Sequence, residues 1–293
     1  MKNTFAKMFT VCALAGVLGV AFTACDDSSS AGGDGGETST KSSNSSSSSV
    51  TPSDVEGSSK TACDYLNPDI NYGEFTDERD GQVYKTVKIG DQVWMAQNLN
   101  YAYIDVPYNF SYNNDVYTSD STSWCFDNDP ANCAKYGRLY TWAAAMDSVG
   151  EWSTSGKGCG YGENCSVASA GSATLVRGIC PKGWHLPSND EWNALFTAVG
   201  GSSTAGSKLK SQTGWKINGN GTDAFGFSAL PAGGRNNIGD YNSEGYNADF
   251  WSSIEDDSFN AYIMDLGCSY DLARLTYENK GYGLSVRCLK DSE

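Results

Sequence analysis

The sequence predicts an α+β domain with two helices and many short antiparallel strands, cross-linked by disulfides. Three observations carry this expectation: two stretches with helical spacing of apolar residues, a run of short β-prone segments between Gly and Asn turns, and eight cysteines from Cys63 to Cys288. Residues 63–293 are long enough for one sizeable core.

Residues 82–104 read as two strands. Tyr84, Val87 and Ile89 are apolar and β-prone, and Gly90-Asp91 supplies a turn before Val93-Trp94-Met95. Residues 136–149 read as a helix, because Leu139, Trp142, Ala143 and Met146 fall at i, i+3, i+4 and i+7. A second helix is expected from Ser188, where the Ser188 hydroxyl and the Glu191 carboxylate form a capping box. Trp192, Leu195, Phe196 and Val199 repeat the apolar spacing, and Gly200-Gly201 stops the helix. No helix is expected after it. GFSALPAGG, DFWSSIE, AYIMDLG, ARLTYE and YGLSVRCL read as short strands, and no internal repeat is visible.

Upstream the chain changes character. Residues 1–24 join Lys2 and Lys7 to an apolar run from Met8 to Phe22, which reads as a secretory signal peptide too short for a membrane span. Small residues directly before Cys25 resemble a lipobox, which makes Cys25 the acylated N-terminus of the mature chain. The alternative is ordinary cleavage near Ala24, leaving Cys25 free. Residues 25–62 are rich in Ser, Gly, Thr and Asp and cannot bury enough surface to offset their ordering entropy. They read as a flexible tether that holds the domain about 30 Å from its anchor. Asp26 and Asp27 fit either surface export or inner-membrane retention. The expected place is the outer membrane with the domain at the cell surface, the periplasmic face being the alternative. The net charge is −15, or −17 once Lys2 and Lys7 are removed, which argues against nucleic-acid partners.

An even number of cysteines in an exported domain argues for disulfides over metal, and no C-x-x-C is present. Cys125 and Cys133 flank a turn-forming Asp-Asn-Asp-Pro, and Cys159 and Cys165 flank another tight loop. Cys180–Cys288 ties the middle of the domain to its last strand, and Cys63–Cys268 pairs by elimination.

Six ordered blocks carry a resemblance: TVKIGDQVWMAQNLNY, CFDNDPANCAKYGRLYTWAAAM, GICPKGWHLPSNDEWNAL, DAFGFSALPAGGR, FWSSIE and SVRCLKD. Together they resemble the Fibrobacter succinogenes major paralogous domain over about residues 75–290. The resemblance implies an exported, lipid-anchored protein whose biochemical role is poorly defined. GWHLPSNDEW, FWSS and the closing VRC are also similar to the C-type-lectin-like fold, which includes the formylglycine-generating sulfatase-modifying proteins. That likeness implies two helices, a small twisted sheet and a long irregular segment that carries the site.

His185 is the only histidine. An arginine usually fills its place in the similar motif, and one histidine cannot build a two-histidine metal site, so a structural role is expected. Sulfatase-modifier chemistry needs a pair of free, copper-binding cysteines, which the expected disulfides remove. Acidic pairs such as Glu255/Asp256 or Asp77/Glu78 have no spacing that marks a glycosidase. Calcium has candidate ligands in Asp127, Asn128 and Asp129 and in Asn218, Asn220 and Asp223, set against a reading as ordinary Asx turns. The remaining candidate is residues 233–251, where Arg235, Asn237, Tyr241 and Tyr246 offer flat rings and adaptable hydrogen bonds. Trp251 belongs with the core. No cofactor is expected apart from the calcium alternative. The expected function is non-catalytic binding of a polysaccharide or another envelope component. The alternatives are adhesion to proteins and a diverged enzyme of the sulfatase-modifying type.

Overall fold

A computed structural model describes residues 59–112, 115–169 and 174–292. The expected signal peptide, Cys25 and nearly all of the expected tether lie outside the described residues. In chain order, β1 (Gly73–Thr76), β2 (Val83–Ile89) and β3 (Gln92–Met95) form an antiparallel meander, with Gly90 at φ 61° in the expected β2–β3 turn. β4 (Ile104–Tyr112) and β5 (Asp115–Ser121) make a separate hairpin, followed by β6 (Ser123–Trp124). Then come α1 (Pro130–Tyr136), β7 (Leu139–Tyr140), α2 (Trp142–Ala145) and β8 (Trp184–His185). α3 (Asn189–Ala198) and α4 (Ser202–Leu209) precede a long irregular stretch that ends in the small hairpin β9 (Gly234–Arg235) and β10 (Tyr241–Asn242). β11 (Asn247–Glu255), β12 (Asn260–Gly267), β13 (Ala273–Asn279), β14 (Leu284–Ser285) and β15 (Leu289–Lys290) complete the chain.

A five-stranded sheet has the order β1-β2-β3-β15-β8, and a six-stranded sheet has the order β13-β12-β11-β14-β7-β6. The central strands β11 and β12 of the larger sheet are buried on both faces. Along β11 and β12, Trp251 and Ile263 enter one apolar cluster, while Phe250 and Met264 enter another. Strand alternation divides the two cores in this way.

The α+β class holds, with four α-helices among the described residues instead of two. α3 begins as read: Ser188 and Glu191 form the capping box, and Trp192, Leu195 and Phe196 are buried. The helix expected over 136–149 is confined to Trp142–Ala145. Leu139 and Tyr140 are instead a strand between β14 and β6. The Thr141 hydroxyl accepts from Ala144 N and starts the helix there. The apolar spacing reported burial, which a strand, a cap and one helical turn supply equally well.

α1 and α4 were not anticipated. Asp129 caps α1 by accepting from Ala131 N, and Pro130 occupies its first turn. α4 has a weakly apolar sequence, SSTAGSKL, and buries only Ala205, Gly206 and Leu209. A Cβ on Gly206 would lie 2.5 Å from Leu272 O, so this helix is set by its packing and not by propensity. GFSALPAGG is not one strand: Ala229 makes an isolated bridge to Lys210, and only its last residue, Gly234, enters β9.

Cys125–Cys133, Cys159–Cys165 and Cys180–Cys288 are bonded. The pairing of Cys63 with Cys268 is corrected: Cys63 is disulfide-bonded, but Cys268 is a free thiol. Cys268 follows β12 where Gly219 presses against its Cα, a site fixed by the sheet and not by any cysteine partner.

Arg287 lies between the two sheets, 1% exposed. Its guanidinium donates to Asn98 Oδ1 at 2.6 and 3.0 Å, to Met95 O at 3.2 Å and to Phe227 O. It also lies 4.5 Å from the Phe227 ring centre and 5.3 Å from that of Phe250.

Removing Cys180 and Cys288 together opens a sequence separation of 108, against 8 for Cys125 and Cys133. The first double substitution is expected to cost about 4–5 kcal/mol of unfolding free energy and the second about 2–3. Urea midpoints of the two variants check this, and equal costs would refute it.

Candidate functional site

The β4–β5 hairpin brings three distant parts of the chain to one cleft. Along β4, Tyr108 and Phe110 alternate toward the protein and are buried. Tyr108 meets the Trp124 ring edge-on at 5.7 Å, and its hydroxyl donates to Asn237 O at 2.8 Å and Gly281 O at 3.2 Å. Those two bonds fix the hairpin against the β9–β10 turn and the segment before β14.

Beneath the hairpin is a cavity of ≈ 180 Å³, lined in part by Tyr108, Asn109, Thr122, Tyr161, Lys280 and Gly281. Tyr161 is 42% exposed and stands 5.1 Å from the Phe110 ring and 5.3 Å from that of Phe259, itself 49% exposed. The mouth is therefore aromatic. Thr122 is buried, and its hydroxyl has no hydrogen-bond partner among the described residues. An unpaired buried hydroxyl costs on the order of 1–3 kcal/mol, so it calls for an explanation. Lys280 brings a buried cation to the cavity wall. It donates to Glu255 Oε2 at 2.8 Å and Glu163 O at 3.0 Å, and lies 4.5 Å from the Trp142 ring centre. Glu255 also accepts from Cys165 N at 2.9 and 3.0 Å. The lysine and glutamate charges thus cancel within the wall.

Of the four residues expected to form a binding face, three gather beside this cleft. Arg235 lies with its guanidinium carbon 4.0 Å from the Trp124 ring centre, 5.7 Å from that of Tyr108 and 6.0 Å from that of Tyr241. Gly283 permits this, because a Cβ there would sit 3.2 Å from the Trp124 ring and 3.3 Å from Arg235 Cβ. Asn237 contributes its carbonyl to Tyr108. Tyr241 packs 5.3 Å from Phe126, and its hydroxyl donates to Asn128 Oδ1 at 2.8 Å. Burial raises the Tyr241 phenol, against the opposing effect of Arg235. Tyr246 does not join them: its ring lies under Lys216 Nζ at 5.0 Å, and its carbonyl accepts from Cys268 N.

Tyr108, Thr122, Tyr161 and Lys280 were missed. Alternating aromatics in PYNFSY were the one available signal, and nothing in the sequence links them to Tyr161 or Lys280.

The calcium candidates are engaged in local structure. Asp127 and Asn128 have positive φ of 54° and 57° in an exposed turn, and Asp129 caps α1. Asn218 also has positive φ, 55°, and Asn220 Oδ1 accepts from Trp215 N at 3.0 Å. Asp223 is 0% exposed and accepts from Ser228 N at 2.7 Å and Ser228 Oγ at 2.6 Å. Among the described residues, no group of three or more His, Cys, Asp or Glu side chains is placed to hold a metal.

His185 is 3% exposed, with Nδ1 2.7 Å from Asp291 Oδ1 and Nε2 2.9 Å from Glu191 Oε1. The α3 cap and the chain beyond β15 are joined through this ring. Burial opposes its charge, but Glu191 and Asp291 outweigh burial and hold the imidazole above its ordinary value.

A model of the Fibrobacter succinogenes major domain matches residues 87–290. No curated protein and no solved structure matches the chain.

Burial pushes the Asp223 carboxyl up to about 7, with Ser228 and Arg287 acting the other way. Its folded value lies above its unfolded one, so its contribution is full below the ordinary aspartate range and is lost as pH rises through about 7. His185, also raised, loses its contribution at and above the ordinary imidazole range. Urea midpoints should therefore fall from about pH 5 to about pH 8.5. Asp223→Asn should flatten the acid part of that slope and His185→Gln the alkaline part, and slopes unchanged in both would contradict the assignment.

Proposed function

We propose that this chain, which belongs to the Fibrobacter succinogenes major domain family, is a non-catalytic envelope lipoprotein that binds a polysaccharide through the cleft beneath the β4–β5 hairpin. The observation that carries this reading is the cleft's chemistry. Exposed Tyr161, with Phe259 packed against its ring, lines a cavity of ≈ 180 Å³ that also includes the unpaired Thr122 hydroxyl. Aromatic faces with a few placed polar groups suit a sugar ring, which presents C–H faces and hydroxyl edges. The cancelled charges of Lys280 and Glu255 leave the floor of the cleft compatible with an uncharged ring.

Cys25 anchors the chain by its lipid, and the Ser/Gly tether presents the domain at the outer face of the outer membrane. A C-type-lectin-like fold belongs to the same proposal. It is supported by the capped α3 of the GWHLPSNDEW block and by the long irregular stretch that ends at Arg235 and Tyr241. The pairing of Cys288 with Cys180 supports the non-catalytic side, because it leaves Cys268 as the one free thiol among the described residues.

Depletion of the exported, detergent-solubilised full chain by insoluble cellulose and xylan tests the reading. Tyr161→Ala is expected to weaken binding about tenfold, equivalent to ~1.4 kcal/mol. Thr122→Val should weaken it too while leaving the urea midpoint unchanged or higher, because it removes an unpaired buried hydroxyl. No depletion under any condition would sink the polysaccharide reading in favour of a protein partner in the envelope.

A further inference from the structure

We infer that Arg235 forms a carboxylate-binding subsite at the rim of the cleft, so that the polysaccharide held there carries uronic-acid units. This rests on the cleft reading and specifies the substrate class of the same site.

Arg235 differs from the other arginines in how few acceptors it holds: Arg138, also without a carboxylate, donates to Ser123 Oγ and to the Cys125 and Cys133 sulfurs, and Arg177 to Cys180 O and Trp152 O. The chain carries 35 acidic residues and only 20 Lys and Arg. Arg79 is paired with Asp77, Arg274 with Asp265 and Lys280 with Glu255. Buried Arg287 and Lys210 are held by oxygens of amides and carbonyls. Arg235 is half-buried, and among the described residues no carboxylate is in ion-pair contact with it. Its guanidinium bond to Asn236 O is long at 3.5 Å. Beyond that it has the Tyr241 hydroxyl, which leaves most of five donors unspent.

The fork is also held in place. The Trp124 ring lies 4.0 Å from its carbon, and the Asn236–Asp240 turn wraps round it so closely that a Cβ on Gly239 would lie 3.1 Å from Nη2. The nearest acid on that turn, Asp240, is turned to Asn236, whose Oδ1 accepts from Asp240 N at 2.8 Å and whose Nδ2 donates to Asp240 Oδ2 at 3.3 Å. A guanidinium held over an indole has little further entropy to lose when it grips a planar carboxylate through two donors. Tyr108 connects it to the cleft: one ring both lines the cavity and lies 5.7 Å from the guanidinium. A polysaccharide with one ring against Tyr161 can therefore place a carboxylate from the chain on Arg235. The self-repulsion of a −15 protein toward acidic polymers makes such a local cation necessary for binding one.

The test compares a glucuronate-bearing xylo-oligosaccharide with the same compound after reduction of its carboxyl to an alcohol, by titration calorimetry on the full chain. The wild type is expected to bind the acidic form about tenfold more tightly, with the preference shrinking as salt is raised. Arg235→Gln should abolish the preference while leaving affinity for the reduced form intact, and Arg235→Lys should keep only part of it. Melting curves of the variants, and their retained binding of the reduced form, separate loss of the subsite from loss of the fold. Equal binding of the two forms by the wild type, or a preference that survives Arg235→Gln, overturns the inference and leaves the cleft reading standing. Binding of neither form overturns both.

Discussion

Arg287 places a guanidinium where the two sheets meet, and it is held there by neutral oxygens. Asn98 takes two of its donors, and Met95 O and Phe227 O take others, while the Phe227 and Phe250 rings cover it. Such a charge is tolerated only where every donor finds an acceptor, so the backbone around it cannot drift. The neighbouring bonds follow from that requirement. Leu99 N donates to Val286 O and Met95 N to Cys288 O, which stitches the segment after β3 to the last strands on both sides of Arg287. Cys288 then fixes the same segment to Cys180. Even the raised Asp223 belongs to this region: it is buried near enough to feel Arg287, but it spends its oxygens on Ser228.

Features governed by neighbours in sequence were legible in the sequence. The β2–β3 turn, the capped start of α3 and two short-range disulfides each depend on residues within ten positions of one another. The reading failed where a distant contact decides. Leu139 fits a helix by its spacing to Trp142, Ala143 and Met146, but Leu284 and Ser285 claim Leu139 and Tyr140 for a sheet. SSTAGSKL has little to recommend a helix until Leu272 is packed against it. Cys268 was assigned a partner only because one cysteine was left over.

The same division runs through the site. Arg235, Asn237 and Tyr241 sit on one turn-rich hairpin, and their composition marked them. Tyr246 shares that composition, but the Ser243–Asn247 turn carries it to Lys216. The cavity is lined from β4, the α2 region, Tyr161 and the segment at Lys280, over a hundred positions apart, and no local pattern announces such a meeting. The unpaired Thr122 hydroxyl is invisible without the fold, since a threonine in sequence gives no account of its partners.

The position of β15 has a consequence for how the protein is made. Leu289 pairs with Trp94 on one side and His185 on the other, so the sheet begun at residue 73 lacks its middle until residues 289–290 arrive. Arg287 and Cys288 reach their partners from the same late segment. The β1–β3 meander can pair within itself, but β8 has no strand beside it until that segment is in place, and non-local topology of this kind folds slowly. The last strand thus acts as a latch: the two parts of the sheet are joined only when Leu289 and Lys290 settle between them.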